Sequence, residues 1–291
     1  MLLLSWASLS GGTTPPAPLL WEISGPTPSY LFGTIHSAHP QLNRLPAAVE
    51  SAFMQSHRFY AELDLTDQEQ SRIAALFLLP ASDRLSNHLT APQRQRARTE
   101  LSTISPGLTL EAFERLKPWA FTVTLSLLED QLAYAGKSPM DLALYQRARA
   151  EGKTTGGLET AEEQMGLFEQ LSKSEQSQLL DATLDYLEQA RRDGKNSMND
   201  TYEIYRQGDP EAFLALFGAQ MDVPLLLKLK LQRLLLHERN QRMSERIERL
   251  LESHPGDSFF FAVGAAHMAS DQGLPELLRK RGYRVTRVRA K

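Results

Sequence analysis

Leu31-Phe32-Gly33-Thr34-Ile35-His36 and Val263-Gly264-Ala265-Ala266-His267 write one short phrase near the two ends of the chain: an apolar run, a glycine, two residues and a histidine. The likeness extends outward. After His36 come Leu45-Pro46, a helical stretch to about Ser56, and Phe59–Leu65, which alternates with period two so that Glu62 shares a face with Tyr60 and Asp64. After His267 come Leu274-Pro275, a helical stretch closed by Gly282, and the strand Tyr283–Val288. Both ends therefore spell strand, Gly-x-x-His, loop, Leu-Pro, helix, strand, a degenerate repeat of two β-α-β units. Parallel strands joined by right-handed crossovers place both Gly-x-x-His turns at one carboxyl edge, where open α/β sheets bind ligands.

Ahead of the first unit, Leu20–Ile23 and Ser29–Phe32 are short β-favouring runs separated by the turn Gly25-Pro26-Thr27-Pro28. Between the units, from Thr66 to Leu251, helix signals dominate. Thr160 with Glu163 and Ser172 with Glu175 have capping-box spacing, and Asp209-Pro210 is an N-cap followed by proline. Gly156-Gly157-Leu158-Glu159-Thr160 is read as the opening of a helix, with Glu159 a cap. The expected fold is α/β (α+β): a small central sheet built from the two end units, with residues 66–251 a mainly helical insertion. Residues 1–18, apolar and then rich in Ser, Gly, Thr and Pro, are expected to be a flexible tail or the remnant of an export signal, and 19–291 a single domain.

Composition narrows the function. Hydrophobic residues make up 42% and charged residues 23%, an ordinary globular balance, and a net charge of −3 offers no basic footprint for nucleic acid. With no cysteine, thiolate catalysis and Cys-ligated zinc or iron–sulfur centres are excluded. No apolar run reaches the ~20 residues that span a bilayer. No phosphate-binding loop, G-x-S-x-G, H-E-x-x-H or dinucleotide fingerprint is present.

The residues that remain for chemistry are His36, His267, Glu62 and Arg239. Two histidines and a carboxylate meeting at one sheet edge suit a divalent metal such as zinc, manganese or cobalt, and suit metal-free acid–base chemistry equally well. Arg239 interrupts the i, i+4 ladder Leu231, Leu235, Met243 and Ile247 on a helix expected over about Pro224–Leu251. A charge on an apolar stripe must reach solvent or find a partner, such as Glu62 or a developing oxyanion. Asn240 stands beside it on the stripe through Leu236. His39, three residues after His36, is a possible second ligand, whereas His57, His88, His237 and His254 show no partner pattern.

These motifs, with Ala61-Glu62-Leu63-Asp64, Gly157-Leu158-Glu159-Thr160, Glu238-Arg239-Asn240 and Gly282-Tyr283-Arg284-Val285, resemble the TraB/PrgY/GumN family, which includes the TIKI proteases. The resemblance covers Trp21 to Val288. It implies a fold similar to that of erythromycin esterase and ChaN-like haem-binding proteins, with an active site of two Gly-x-x-His motifs, an acidic residue and an arginine. By that resemblance His36, Glu62 and His267 hold or surround a divalent ion and Arg239 stabilises the oxyanion. The implied function is a metal-dependent hydrolase, a peptidase, located in the periplasm or cell envelope, with the cytoplasm as the alternative. The alternatives are a metal-free hydrolase of the erythromycin-esterase kind, and an envelope protein that binds a peptide or cofactor without turnover.

Overall fold

A computed structural model of the chain describes residues 18–288 apart from 197 and 221, so the expected tail over 1–18 lies outside the described residues except for Pro18. Among the described residues, six strands form one sheet: β1 (Leu20–Ile23), β2 (Ser29–Thr34), β3 (Arg58–Leu63), β4 (Thr154–Glu159), β5 (Phe259–Gly264) and β6 (Val285–Val288). Their order is β4-β3-β5-β2-β1-β6. β2, β5, β3 and β4 run parallel to one another, and β1 is antiparallel to both β2 and β6. The sheet is thus mixed, and the α+β expectation holds.

The two repeat units interleave rather than sit side by side. β5 enters between β2 and β3, so the crossover through the helix Ala47–Gln55 steps over it. The reason lies in composition: Phe259–Val263 is apolar at every position, and its burial is complete only in the middle of a sheet covered on both faces. Phe260 packs on Phe32, Phe53 and Phe59 on one face, where Tyr145 of the helix Met140–Ala150 joins them. Phe259 and Phe261 stack on each other and on Tyr60 on the opposite face, near His254 at the end of the helix Glu238–Ser253. Register then levels the two motifs, pairing Gly33 with Val263 and Thr34 with Gly264.

Two expectations are corrected. Gly156–Glu159 does not open a helix: within the mainly helical insertion, Thr154–Glu159 forms the edge strand β4, parallel to β3. Its glycines masked it, since glycine reads as a breaker, yet here each admits a close approach. A Cβ on Gly157 would lie 2.4 Å from the Asp64 nitrogen, and one on Gly156 would lie 2.6 Å from the Tyr60 ring. The Thr160–Glu163 capping box does form, one residue beyond the strand. The helix expected over Pro224–Leu251 is also not uniform: Leu225–Gln232 passes through a π-helical turn at Arg233–His237 before Glu238–Ser253. The wider turn advances the register, so Leu234 and Leu236 are buried while Leu235 is half-buried.

The rest of the insertion has an apolar cluster of its own, centred on Leu85, Leu101, Phe121, Leu125 and Leu184. A smaller group around Trp119 and Met165 lies next to the carboxyl edge of the sheet.

Gly157→Ala is expected to destabilise the protein by about 1–3 kcal/mol, the usual effect of overpacking, because backbone stands where the methyl must go. Gly107→Ala, with open space around it, is the control. Thermal melts of both variants decide; equal midpoints would mean that β4 is not held against β3 as described.

Candidate functional site

Gly264 ends β5, and a single 3₁₀ turn, Ala265–Met268, carries His267 inward, where it is buried. Its Nδ1 lies 2.6 Å from Asn240 Oδ1. The Asn240 amide can present only its oxygen there, because its Nδ2 donates to the Gln272 carbonyl at 2.8 Å. Nδ1 therefore carries the proton and Nε2 keeps a free lone pair, 3.9 Å from Glu62 Oε1. Burial lowers the pKa of His267 and Arg239 lowers it further, against a smaller upward pull from Glu62. The result is about 3, and the ring is neutral.

Glu62 stands near the end of β3. The Gly264 N–H donates to Oε1 at 2.7 Å, while Gln164 donates to Oε2 at 2.8 Å and Arg239 makes a close ion pair with Oε2. Burial by itself would raise this carboxyl; Arg239 and the Gly264 N–H outweigh it and hold the group at about 2. The glycine of the second Gly-x-x-His is thereby explained, since a Cβ on Gly264 would stand 3.0 Å from Glu62 Oε1. Arg239 is buried as the apolar stripe requires, and it finds two partners. Its Nε donates to Glu159 Oε2 at 2.8 Å, and its Nη2 to Glu62. Glu159, fully buried at the end of β4, accepts from Arg242 as well, at 3.0 Å.

His36 follows β2 on a loop and has half its ring exposed within the same cleft. The surrounding protein lowers its pKa, but Asp141, aided by Glu62 and Asp130, more than compensates and raises it above the ordinary 6.5. Asp141 holds Nδ1 from both oxygens, at 3.1 and 3.2 Å. Met140, which begins the helix bearing Asp141, donates its N–H to the Ser37 carbonyl and so ties the helix to the loop.

His36, Glu62, Arg239 and His267 thus line one cavity of about 410 Å³, walled by Trp119, Phe168, Phe213 and Leu236 among others. His39 is elsewhere, its ring against Tyr134 and Tyr202 and its Nδ1 accepting from Gln41. Among the described residues, no three His, Asp or Glu side chains stand close enough together to cage a metal ion. His267 and Glu62 are the near pair, and their donor chemistry suits a divalent cation: a neutral imidazole with a free lone pair beside an ionised carboxylate. Sequence reasoning missed Asp141, which reads as an ordinary acidic residue in a helix's first turn, and took Glu159 for a cap. It also missed Gln164.

The TraB/PrgY/gumN family model matches residues 19–287, nearly the whole described chain. The chain belongs to this family. Similar members include the metalloprotease TIKI1 of Danio rerio, 30% identical over 91% of this chain and 62% of its own length. The human metalloprotease TIKI1 is 29% identical, and the uncharacterised protein YbaP of Shigella flexneri is 24% identical over 94% of the chain and 96% of its own length. The chain spans about three-fifths of the TIKI relatives it matches. No solved structure matches it. No helix among the described residues is long and apolar enough to cross a membrane.

The buried groups of this TraB/PrgY/gumN member make its metal-free form sensitive to acid. His267, folded pKa about 3 against 6.5, stabilises the fold above pH 6.5, and that contribution declines as pH falls from there. Glu62, about 2 against 4.5, adds a loss that begins below pH 4.5. His36, with its raised pKa, acts in the opposite sense over the same range, so the test is the difference between proteins: between pH 7 and 5 the thermal midpoint of wild type should fall relative to that of His267→Gln. An unchanged slope in that variant would mean that His267 is not held neutral.

Proposed function

We propose that the chain is a hydrolase of peptide bonds whose reacting groups are His36, Glu62, Arg239 and His267. The observation that carries this reading is the convergence of both Gly-x-x-His histidines and Glu62 on one cavity at the carboxyl edge of the sheet. The metalloprotease names of the TIKI relatives support the choice of substrate and reaction.

His267 Nε2 and Glu62 Oε1 are the atoms that would hold a divalent ion, manganese, cobalt or zinc, which when bound polarises a carbonyl and lowers the pKa of water. Two protein donors leave most of the coordination sphere to water and substrate, so such an ion would be held weakly and exchange readily. Asn240 keeps the His267 proton on Nδ1, and Arg239, Gln164 and the Gly264 N–H keep the Glu62 carboxylate ionised and aimed. His36 is the proton carrier. With Nδ1 held by Asp141, its Nε2 accepts a proton from the attacking water and returns it to the leaving amine, and the Asp141 charge stabilises the intervening imidazolium. Arg239 lines the cavity, and the guanidinium hydrogens not committed to Glu62, Glu159 and the Leu235 carbonyl are the donors for the oxyanion.

The His36–Asp141 pair also favours a second reading, a metal-free hydrolase in which His36 alone activates water.

Purified protein should cleave members of a mixed peptide library, lose turnover on exhaustive chelation and regain it with manganese, cobalt or zinc. Full activity after chelation selects the metal-free reading. Peptide binding without turnover in any metal would overturn the hydrolase. His36→Ala and His267→Ala are each expected to lower kcat by at least about a hundredfold. Arg239→Lys should lower kcat by at least about tenfold, since lysine lacks the fork that reaches both carboxylates. Normal turnover in Arg239→Lys would remove the arginine from the reacting set.

A further inference from the structure

A second cavity of about 410 Å³ is bordered by His36 but not by Glu62 or His267. Ile35, His36, Val123, Phe168 and Leu235 line both cavities, so the two compartments adjoin with His36 at the waist. Leu127, Leu179 and Met198 supply apolar walls to the second, and among the described residues no Asp, Glu, Lys or Arg faces it. Three of its hydroxyls are committed to carbonyls of their own helices: Thr122 donates to Pro118, Ser126 to Val123 and Thr183 to Leu179. With Tyr186, Thr201 and His36 as its other polar lining, the compartment presents a mainly apolar wall to a ligand.

The charge pattern selects the kind of occupant. A fatty chain would fill the second compartment but leave Glu62, Arg239 and Gln164, which line the first compartment alone, without polar partners. An extended peptide matches both, with its amides at His36 and those polar groups and an apolar side chain in the second compartment. We infer that the second compartment is a substrate subsite for a large apolar side chain, so that the enzyme takes extended peptides carrying such a residue beyond the bond presented to His36. The cleavage part rests on the hydrolase reading; the binding part does not.

Thr183→Trp and Thr201→Trp test this by filling the compartment from two different helices, at half-buried positions outside the reacting set. Blocked peptides differing at one position, Phe, Leu, Ala or Asp, would be compared in kcat/KM, and binding of acetyl-Phe-Phe-amide followed by titration calorimetry. Wild type should prefer Phe or Leu over Ala or Asp by about tenfold or more at one position. Both Trp variants should reduce that preference to about twofold or less, acting through KM, and bind the amide at least about tenfold more weakly. A preference that survives in both variants overturns the subsite, as does a preference for Asp. If wild type cleaves no peptide, the hydrolase reading falls and calorimetry alone decides. Weaker binding in the folded variants then upholds the subsite, and equal binding by all three proteins, or none, sinks it. Circular dichroism and melting identify any variant that fails to fold, leaving the other to carry the comparison.

Discussion

Arg239 lies between Glu62 at the end of β3 and Glu159 at the end of β4, and it joins the helix Glu238–Ser253 to both strands. Two carboxylates at the ends of adjacent parallel strands would repel each other in a medium poor in water. Arg239 answers both, and Arg242 supplies a second positive charge to Glu159, so two anions meet two cations. Such a cluster adds little net stability over an apolar one of the same shape, but removing one member strands a buried charge at about 3–5 kcal/mol. Its structural effect is alignment. The clamp sets where Glu62 points, and Glu62 in turn fixes the Gly264 N–H and faces the His267 ring.

The repeated motif ends in two different electrostatic states. His36 has a carboxylate on Nδ1 and faces water, so its charged form is favoured. His267 is buried, with an amide oxygen on Nδ1 and a guanidinium nearby, so its neutral form is favoured. The difference comes from the partners. Asp141 belongs to the insertion, and Asn240 to the helix that leads into the second unit. Two imidazoles with opposite pKa shifts thus stand at one cavity although their local sequences are alike.

The insertion does more than cover the sheet. Its Trp119, Val123 and Phe168 wall the cleft, Gln164 holds Glu62, Glu159 holds Arg239, and β4 widens the sheet so that Glu159 can reach its place. The π-helical turn at Arg233–His237 stands just before Arg239 and Asn240 and brings Leu235 and Leu236 to the cavity.

Much of this was legible in the chain itself. The Gly-x-x-His repeat announced two strand ends, and the β-α-β pattern with right-handed crossovers put both at one edge, because that geometry is set by local periodicity and backbone chirality. Arg239 on an apolar stripe signalled a buried charge in search of a partner, since hydrophobic spacing and the cost of an unpaired ion are properties of the sequence. What only the tertiary structure decided is which groups meet across long separations. The interleaving of β5 between β2 and β3, the strand at Gly156-Gly157, the Asp141 partner of His36 and the Glu159 partner of Arg239 all depend on packing. Nothing in the local chemistry of an aspartate in a helix's first turn, or of a glutamate before a capping threonine, distinguishes it from a solvated acid. Each acquires its role because the fold brings a partner within reach, the His36 imidazole for Asp141 and the Arg239 and Arg242 guanidinium groups for Glu159.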